Sequence, residues 1–208
     1  SECAEVFARA ERELRHSHHR LTFKIVAPEE LGKWQNINRA LSEVALDQYD
    51  WLLIIDDDVV LARPFLDPFL WLAERFSFKL AQPAHRFRSH AAWSITRRQP
   101  GVLARQTRFV EIGPVTAFAR TAAGELLPFP KLRMGWGLDL HWGAVAEQRG
   151  WRLGVIDALP VRHEWRPVGG SSSSADATAE AQQFLATRPY IHAADAGKTL
   201  EEHRAVPE

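Results

Sequence analysis

Between Trp51 and Leu61 the chain reads Trp-Leu-Leu-Ile-Ile-Asp-Asp-Asp-Val-Val-Leu, three consecutive carboxylates held between two apolar runs. A continuous apolar run of this length suits a strand buried on both faces, as in a parallel sheet. Three adjacent anions at its end repel one another, and burying that repulsion is costly unless a cation is present. Hard carboxylate oxygens select magnesium, manganese or calcium over softer metals. The alternative is a solvated acidic turn that caps the following element. The apolar flanks on both sides favour a metal at a strand terminus.

Elements alternate around this strand. A charged stretch with Val6 and Leu14 among its apolar positions predicts a surface helix within Glu2 to His19, and Thr22 to Ala27 reads as a strand. Ile37, Leu41, Val44 and Ala45 fall at helical spacing within Asn36 to Leu46. After the carboxylates, a helix from Asp67 through Arg75 precedes a strand over Phe78 to Ala84. Phe109 to Arg120 is β-rich and interrupted at Gly113-Pro114, Asp139 to Gln148 is helical, and Trp151 to Asp157 and Leu159 to His163 are short strands. The order predicts an α/β/α sandwich of Rossmann-like type with a mostly parallel central sheet, in which ligands bind beyond the carboxyl ends of strands. Residues 1–168 form the expected catalytic domain. Residues 169–208 read as a flexible Gly/Ser loop, from Gly169 to Ser174, and a helical tail.

With 26 basic and 26 acidic side chains in 208 residues, no global field draws the protein to nucleic acid or anionic membranes. One cysteine, Cys3, excludes an internal disulfide framework and a cysteine-based zinc site. No apolar run approaches the roughly 20 residues of a transmembrane helix, and the start lacks the organisation of a signal peptide. The expectation is a soluble chain whose compartment is open, the cytoplasm being favoured. The chain enters a helical pattern directly from Ser1, so upstream sequence is expected to have been removed.

The strand ending in Asp56-Asp57-Asp58, with Gly32-Lys33 and Asn38-Arg39-Ala40-Leu41 upstream, resembles the GT-A glycosyltransferases, whose signature is an apolar strand closing on an Asp-any-Asp motif. The resemblance spans roughly Leu21 to Trp165. It implies a nucleotide-sugar donor, UDP- or GDP-linked, whose diphosphate is held by Mn2+ or Mg2+ on Asp58, with Lys33, Asn38, Asp56 and Asp57 toward the nucleotide and Asp56 at the ribose or at a metal-bound water. A histidine from the far end of such domains often completes the metal shell, and His163 is the best placed, with His85, His90 and His141 competing. No counterpart of the family's first strand, which cradles the nucleobase, is visible.

Gly135-Trp136-Gly137-Leu138-Asp139 sets two permissive residues around an aromatic and ends in a carboxylate at a helix start. Trp136 offers a face for sugar stacking, Gly137 close approach, and Asp139 either a base for the acceptor hydroxyl or a plain helix cap. The segment is similar to the Trp-Gly-any-Glu-Asp motif of inverting GT-A enzymes, with Leu138 where many carry an acid. Together with Val155-Ile156-Asp157 and Val161-Arg162-His163 it resembles a glycosyltransferase-like family of plants and bacteria. The Gly169 to Ser174 stretch reads as a lid or a linker. Between Glu74 and Glu111 no acidic residue occurs, while Lys79, Arg86, Arg88, Arg97, Arg98, Arg105 and Arg108 do, which suits an anionic acceptor or a solvated face.

The expected function is therefore metal-dependent transfer of a sugar to the hydroxyl of a glycan, lipid or small-molecule acceptor. A nucleotide- or carbohydrate-binding module without catalysis and a metal-dependent phosphotransferase are the alternatives.

Overall fold

The computed structural model describes residues 2–26, 32–163 and 174–207. Ala27, at the end of the expected second element, lies outside the described residues, as do Glu164, Trp165 and residues 169–173 of the Gly/Ser stretch.

Helix α1 (Glu2–Leu14) buries Val6, Ala10 and Leu14, four residues apart, as one stripe. Leu21 to Val26 forms no strand, because no neighbouring strand pairs with it, and Ile25 stays 68% exposed. Helix α2 (Lys33–Leu41) then leads to β1 (Trp51–Ile55) and the two-residue β2 (Val59–Val60). Helix α3 (Leu66–Arg75) and β3 (Phe78–His85) follow, then β4 (Ala104–Thr107), β5 (Val115–Ala119) and α4 (Arg120–Leu126). Helix α5 (Leu138–Arg149) returns to the long β6 (Arg152–His163), and the chain closes with α6 (Ser174–Leu185), α7 (Ala193–Ala196) and β7 (Thr199–His203).

Among the described residues seven strands form one sheet in the order β1-β5-β3-β6-β4-β7, with β2 paired to the far end of β6. The α/β class matches expectation, but the sheet is mostly antiparallel, not mostly parallel. Among the strand pairs only β3–β6 is parallel; β1–β5, β3–β5, β4–β6, β4–β7 and β2–β6 are antiparallel. Continuous apolar runs reported burial of both faces, which helices also impose on antiparallel strands. In β5, Ala117 packs into a core with α1 and α3 residues, while its neighbour Phe118 packs into a second core with α4 and α5.

β1 is an edge strand bonded to β5 alone, from Trp51 opposite Ala119 to Ile55 opposite Val115. Its residues alternate between the two cores, and its open edge lines a cleft of about 1360 Å³. The tail carries more than helix: β7 pairs with β4, and Phe184 of α6 is buried in the second core. No helix among the described residues is long and apolar enough to cross a membrane.

Candidate active site

As the chain leaves β1, the Asp56 N–H donates to the Pro114 carbonyl at 2.8 Å. Asp57 and Asp58 turn, and Val59 enters β2 directly opposite His163 at the end of β6. That register brings Asp58 and His163 together from opposite halves of the sequence. His163 Nε2 lies 2.8 Å from Asp58 Oδ1, and one ligand atom each from Asp56, Asp58 and His163 falls within 4.8 Å of the others. An ion with ligand distances of about 2.1 Å spans donors up to about 4.2 Å apart, so small side-chain movements close the set. Two carboxylates and an imidazole make a donor set that could hold a divalent metal ion.

Asp58 is nearly buried, at 3% exposure, and Asp56 is partly covered. The Lys33 ammonium, on the first turn of α2, lies 2.6 Å from Asp56 Oδ1. Burial lowers the proton affinity of His163, but the hydrogen bond to Asp58 and the charges of Asp58 and Asp56 outweigh it and raise its pKa. The His163 backbone N–H donates to Ser89 Oγ at 2.9 Å, which fixes the end of β6.

The same cleft is lined by Trp136 and Gly137 of the Gly-Trp-Gly segment and by Asp139. Gly135 and Gly137 have φ of 79° and 91°, a left-handed backbone that glycine adopts without strain. At Gly135 a Cβ would also sit 1.9 Å from the Trp34 indole nitrogen, so a side chain is excluded twice over. The Glu180 carboxylate of α6 accepts from the N–H groups of Arg133, Met134 and Gly135, holding the approach to the segment. Trp136 is left half-buried on the cleft wall. Asp139 sits in the first turn of α5 at 5% exposure, its Oδ1 accepting the Leu140 N–H at 2.9 Å. Burial pushes its pKa up to about 7; the Leu140 N–H opposes this and the Glu111 charge adds to it.

The remaining candidates are spread out. Asn38 makes a reciprocal pair with the Phe129 backbone, Nδ2 to O at 2.7 Å and N–H to Oδ1 at 2.8 Å, and the buried Asn36 lines the cleft in its stead. Asp57 is exposed at the cleft rim, with the Cys3 thiol 3.8 Å from its Oδ2. Of the other histidines, His90 lines the cleft with its ring 6.4 Å from that of His163, and His141 binds the Pro189 carbonyl. His85 is buried against Ser89, with Nε2 3.6 Å from Glu111.

Glu111 is the residue that sequence reasoning missed. It is buried on the cleft wall, with its carboxylate accepting from the Ala92 N–H and the Thr96 hydroxyl. Its one signal in the sequence was that it ends the acid-free interval. The basic strip does not form one face, because Arg105 is buried on Asp157 and Arg108 pairs with Glu147 and Asp195.

No family model matches the chain, and a search of curated proteins returns no match. Among solved structures the chain is similar to one described as the crystal structure of GalNAc-T7 with UDP, GalNAc and Mn2+. The two share 15% identity at a TM-score of 0.49, over 71% of this chain and 33% of that one. The chain thus spans about a third of that protein's length, and a likeness of this size carries no weight on function.

Proposed function

We propose that this protein is a metal-dependent glycosyltransferase that moves a hexose-type sugar from a nucleotide-diphosphate donor to an acceptor hydroxyl. The observation that carries the reading is the convergence of Asp56, Asp58 and His163 on one cleft that also holds Asp139 and Trp136. A carboxylate pair that admits a cation and a third, protonatable carboxylate in the same cleft are the two chemical parts that such a transfer needs.

Asp58, Asp56 and His163 would hold Mn2+ or Mg2+. When bound, the ion supplies Lewis-acid stabilisation of the departing nucleoside diphosphate. Lys33, paired with Asp56 beside the cluster, would add a positive charge toward the same diphosphate. Trp136 presents a ring face to the sugar's C–H groups, and Gly137 keeps the wall thin beside it. Asp139 takes the acceptor's proton, for which a pKa near neutrality suits a general base. The donor is UDP- or GDP-linked and the acceptor is a glycan, lipid or small molecule. The sequence motif, the metal cluster and the position of Asp139 support this assignment jointly.

Calorimetry with UDP and with GDP, in Mn2+ and then in EDTA, tests the reading, with Asp58→Ala as the control. The expected result is metal-dependent binding of one nucleotide, lost in the variant. No binding in any arm would sink the proposal. Nucleotide binding without release of nucleoside diphosphate from any of a panel of nucleotide sugars would favour a binding module instead. Asp139→Asn is expected to keep nucleotide affinity and to lower transfer by about a hundredfold to ten-thousandfold.

A further inference from the structure

The acid-free interval contains a turn that the catalytic reading leaves unused. Immediately after β3, residues Arg86 to Ser89 form a tight turn, closed by the Ser89 N–H to the Arg86 carbonyl at 3.0 Å, with Arg88 at a φ of 69°. The turn aims Phe87 outward, and the ring is 88% exposed. Arg88, Arg97 and Arg98 are exposed around it, and Arg97 leans on the turn through Nη1 to the Ser89 carbonyl. Arg86 is fixed by Nε to the Pro160 carbonyl at 3.0 Å. Among the described residues no carboxylate forms an ion pair with any of these four guanidinium groups, although the chain as a whole is neutral.

The base of the turn is held firmly. The Arg86 N–H donates to Val161 O and the Arg98 N–H to His85 O, while Ser89 Oγ accepts from the His163 N–H. Directly behind, Arg105 on Asp157 also holds the Ile95 and Arg97 carbonyls. A phenyl ring held in water on a firmly braced turn, amid guanidiniums that make no carboxylate ion pair among the described residues, fits a boundary where anionic oxygens overlie an apolar layer.

We infer that the Arg86–Ser89 turn, with Arg97 and Arg98, docks the protein on an anionic lipid bilayer, Phe87 entering the headgroup layer and the guanidiniums meeting lipid phosphates. Charge complementarity and the lone apolar tip select a bilayer over a nucleic acid, whose bases would need several stacking rings. The turn ends at the residue before His90, which lines the cleft, and bonds the end of the strand that carries His163, so docking brings the cleft toward the lipid surface. An acceptor carried on a lipid then reaches the site without leaving the membrane. The docking itself does not require the transfer reading.

Co-sedimentation of the full chain with phosphatidylcholine vesicles, with and without phosphatidylglycerol, tests it. The protein should pellet with the anionic vesicles and stay free of the neutral ones. Arg88→Ala should lower partition about fivefold, the effect of one basic residue at an anionic surface. Phe87→Ala should lower it by a similar factor, and Arg88→Lys should restore it by keeping the charge. Mn2+-dependent UDP binding should be unchanged in all three variants. Equal partition to neutral vesicles, or no loss in Phe87→Ala and Arg88→Ala, would overturn the inference. Displacement from the anionic vesicles by single-stranded DNA at low concentration would overturn it too. Vesicle binding without UDP binding would leave the surface standing and remove the transferase; the converse would do the reverse.

Discussion

Asp58 and Asp157 are almost equally hidden from water, at 3% and 0% exposure, and the protein treats them in opposite ways. Asp157 accepts from Arg105 Nε at 2.8 Å, Arg105 Nη2 at 3.0 Å and the Gln99 N–H at 2.7 Å. A full opposing charge and both oxygens are met from within, and the pair locks the loop between β3 and β4. Asp58 faces an imidazole instead, with a second carboxylate, Asp56, inside the same small volume. Lys33 pairs with Asp56, and His163, its pKa raised, pairs with Asp58. A buried carboxylate gripped by a guanidinium serves the fold, whereas one that shares a small volume with a second carboxylate and an imidazole offers a set of donors to a cation.

The contrast is broken most directly by removing one partner from each region. Arg105→Ala leaves Asp157 charged and buried and should cost about 3–5 kcal/mol of stability. At roughly 2–4 °C per kcal/mol for a chain of this size, thermal unfolding reads it easily. Asp58→Ala should cost about 1 kcal/mol, the scale of one hydrogen bond, yet abolish Mn2+-dependent nucleotide binding. Equal losses of stability in the two variants would erase the distinction.

Asp139 is a third buried carboxylate, and it responds to pH. Its folded pKa is about 7 against an ordinary 3.8, so between these values the folded state holds a proton that the unfolded state has released. Stability from this group is therefore lost as pH rises from about 4 to about 7. Asp139→Asn should unfold at higher temperature than the parent at about pH 8, by an amount worth a few kcal/mol, with the gap closing below about pH 4. Transfer by the parent should rise with pH across the upper part of that window as the base is freed. A flat difference between the two proteins across pH would remove the buried, protonated Asp139.

The smallest effect concerns Asn38. Its two bonds to the Phe129 backbone make Asn38→Ala worth about 1–2 kcal/mol of stability. Nucleotide affinity, measured by the same calorimetry, should not change; a clear loss would return Asn38 to the donor side, where the sequence motif put it.

How much of this was legible in the sequence varied with the kind of signal. Trp51 to Ile55 was read as a strand to the residue, because five apolar residues ending in three carboxylates leave little choice. Its direction was not legible: side-chain pattern records which faces are covered, and direction depends on partners far along the chain. β4 was invisible, since Ala-Arg-Gln-Thr looks like a surface segment until Arg105 is seen to lie on Asp157. β7, reading Thr-Leu-Glu-Glu-His, is a polar edge strand with no apolar face to announce it. In the site, the proximity of Asp58 and His163 was anticipated on family resemblance alone. Glu111 was overlooked because a solitary acid carries no spacing pattern, and only the fold shows what surrounds it.

β2 is only two residues long, yet it ties together two groups that stand roughly a hundred residues apart along the chain. Such a short ladder has little cooperativity of its own, and it is held by Val59, fully buried in the core with residues of α1 and α3. A cation gripping Asp58 and His163 would work as a reversible crosslink across that long segment, and amide exchange at Val59 and Val60 would slow as it binds. The protein's readiness to act would be written in the breathing of two valines.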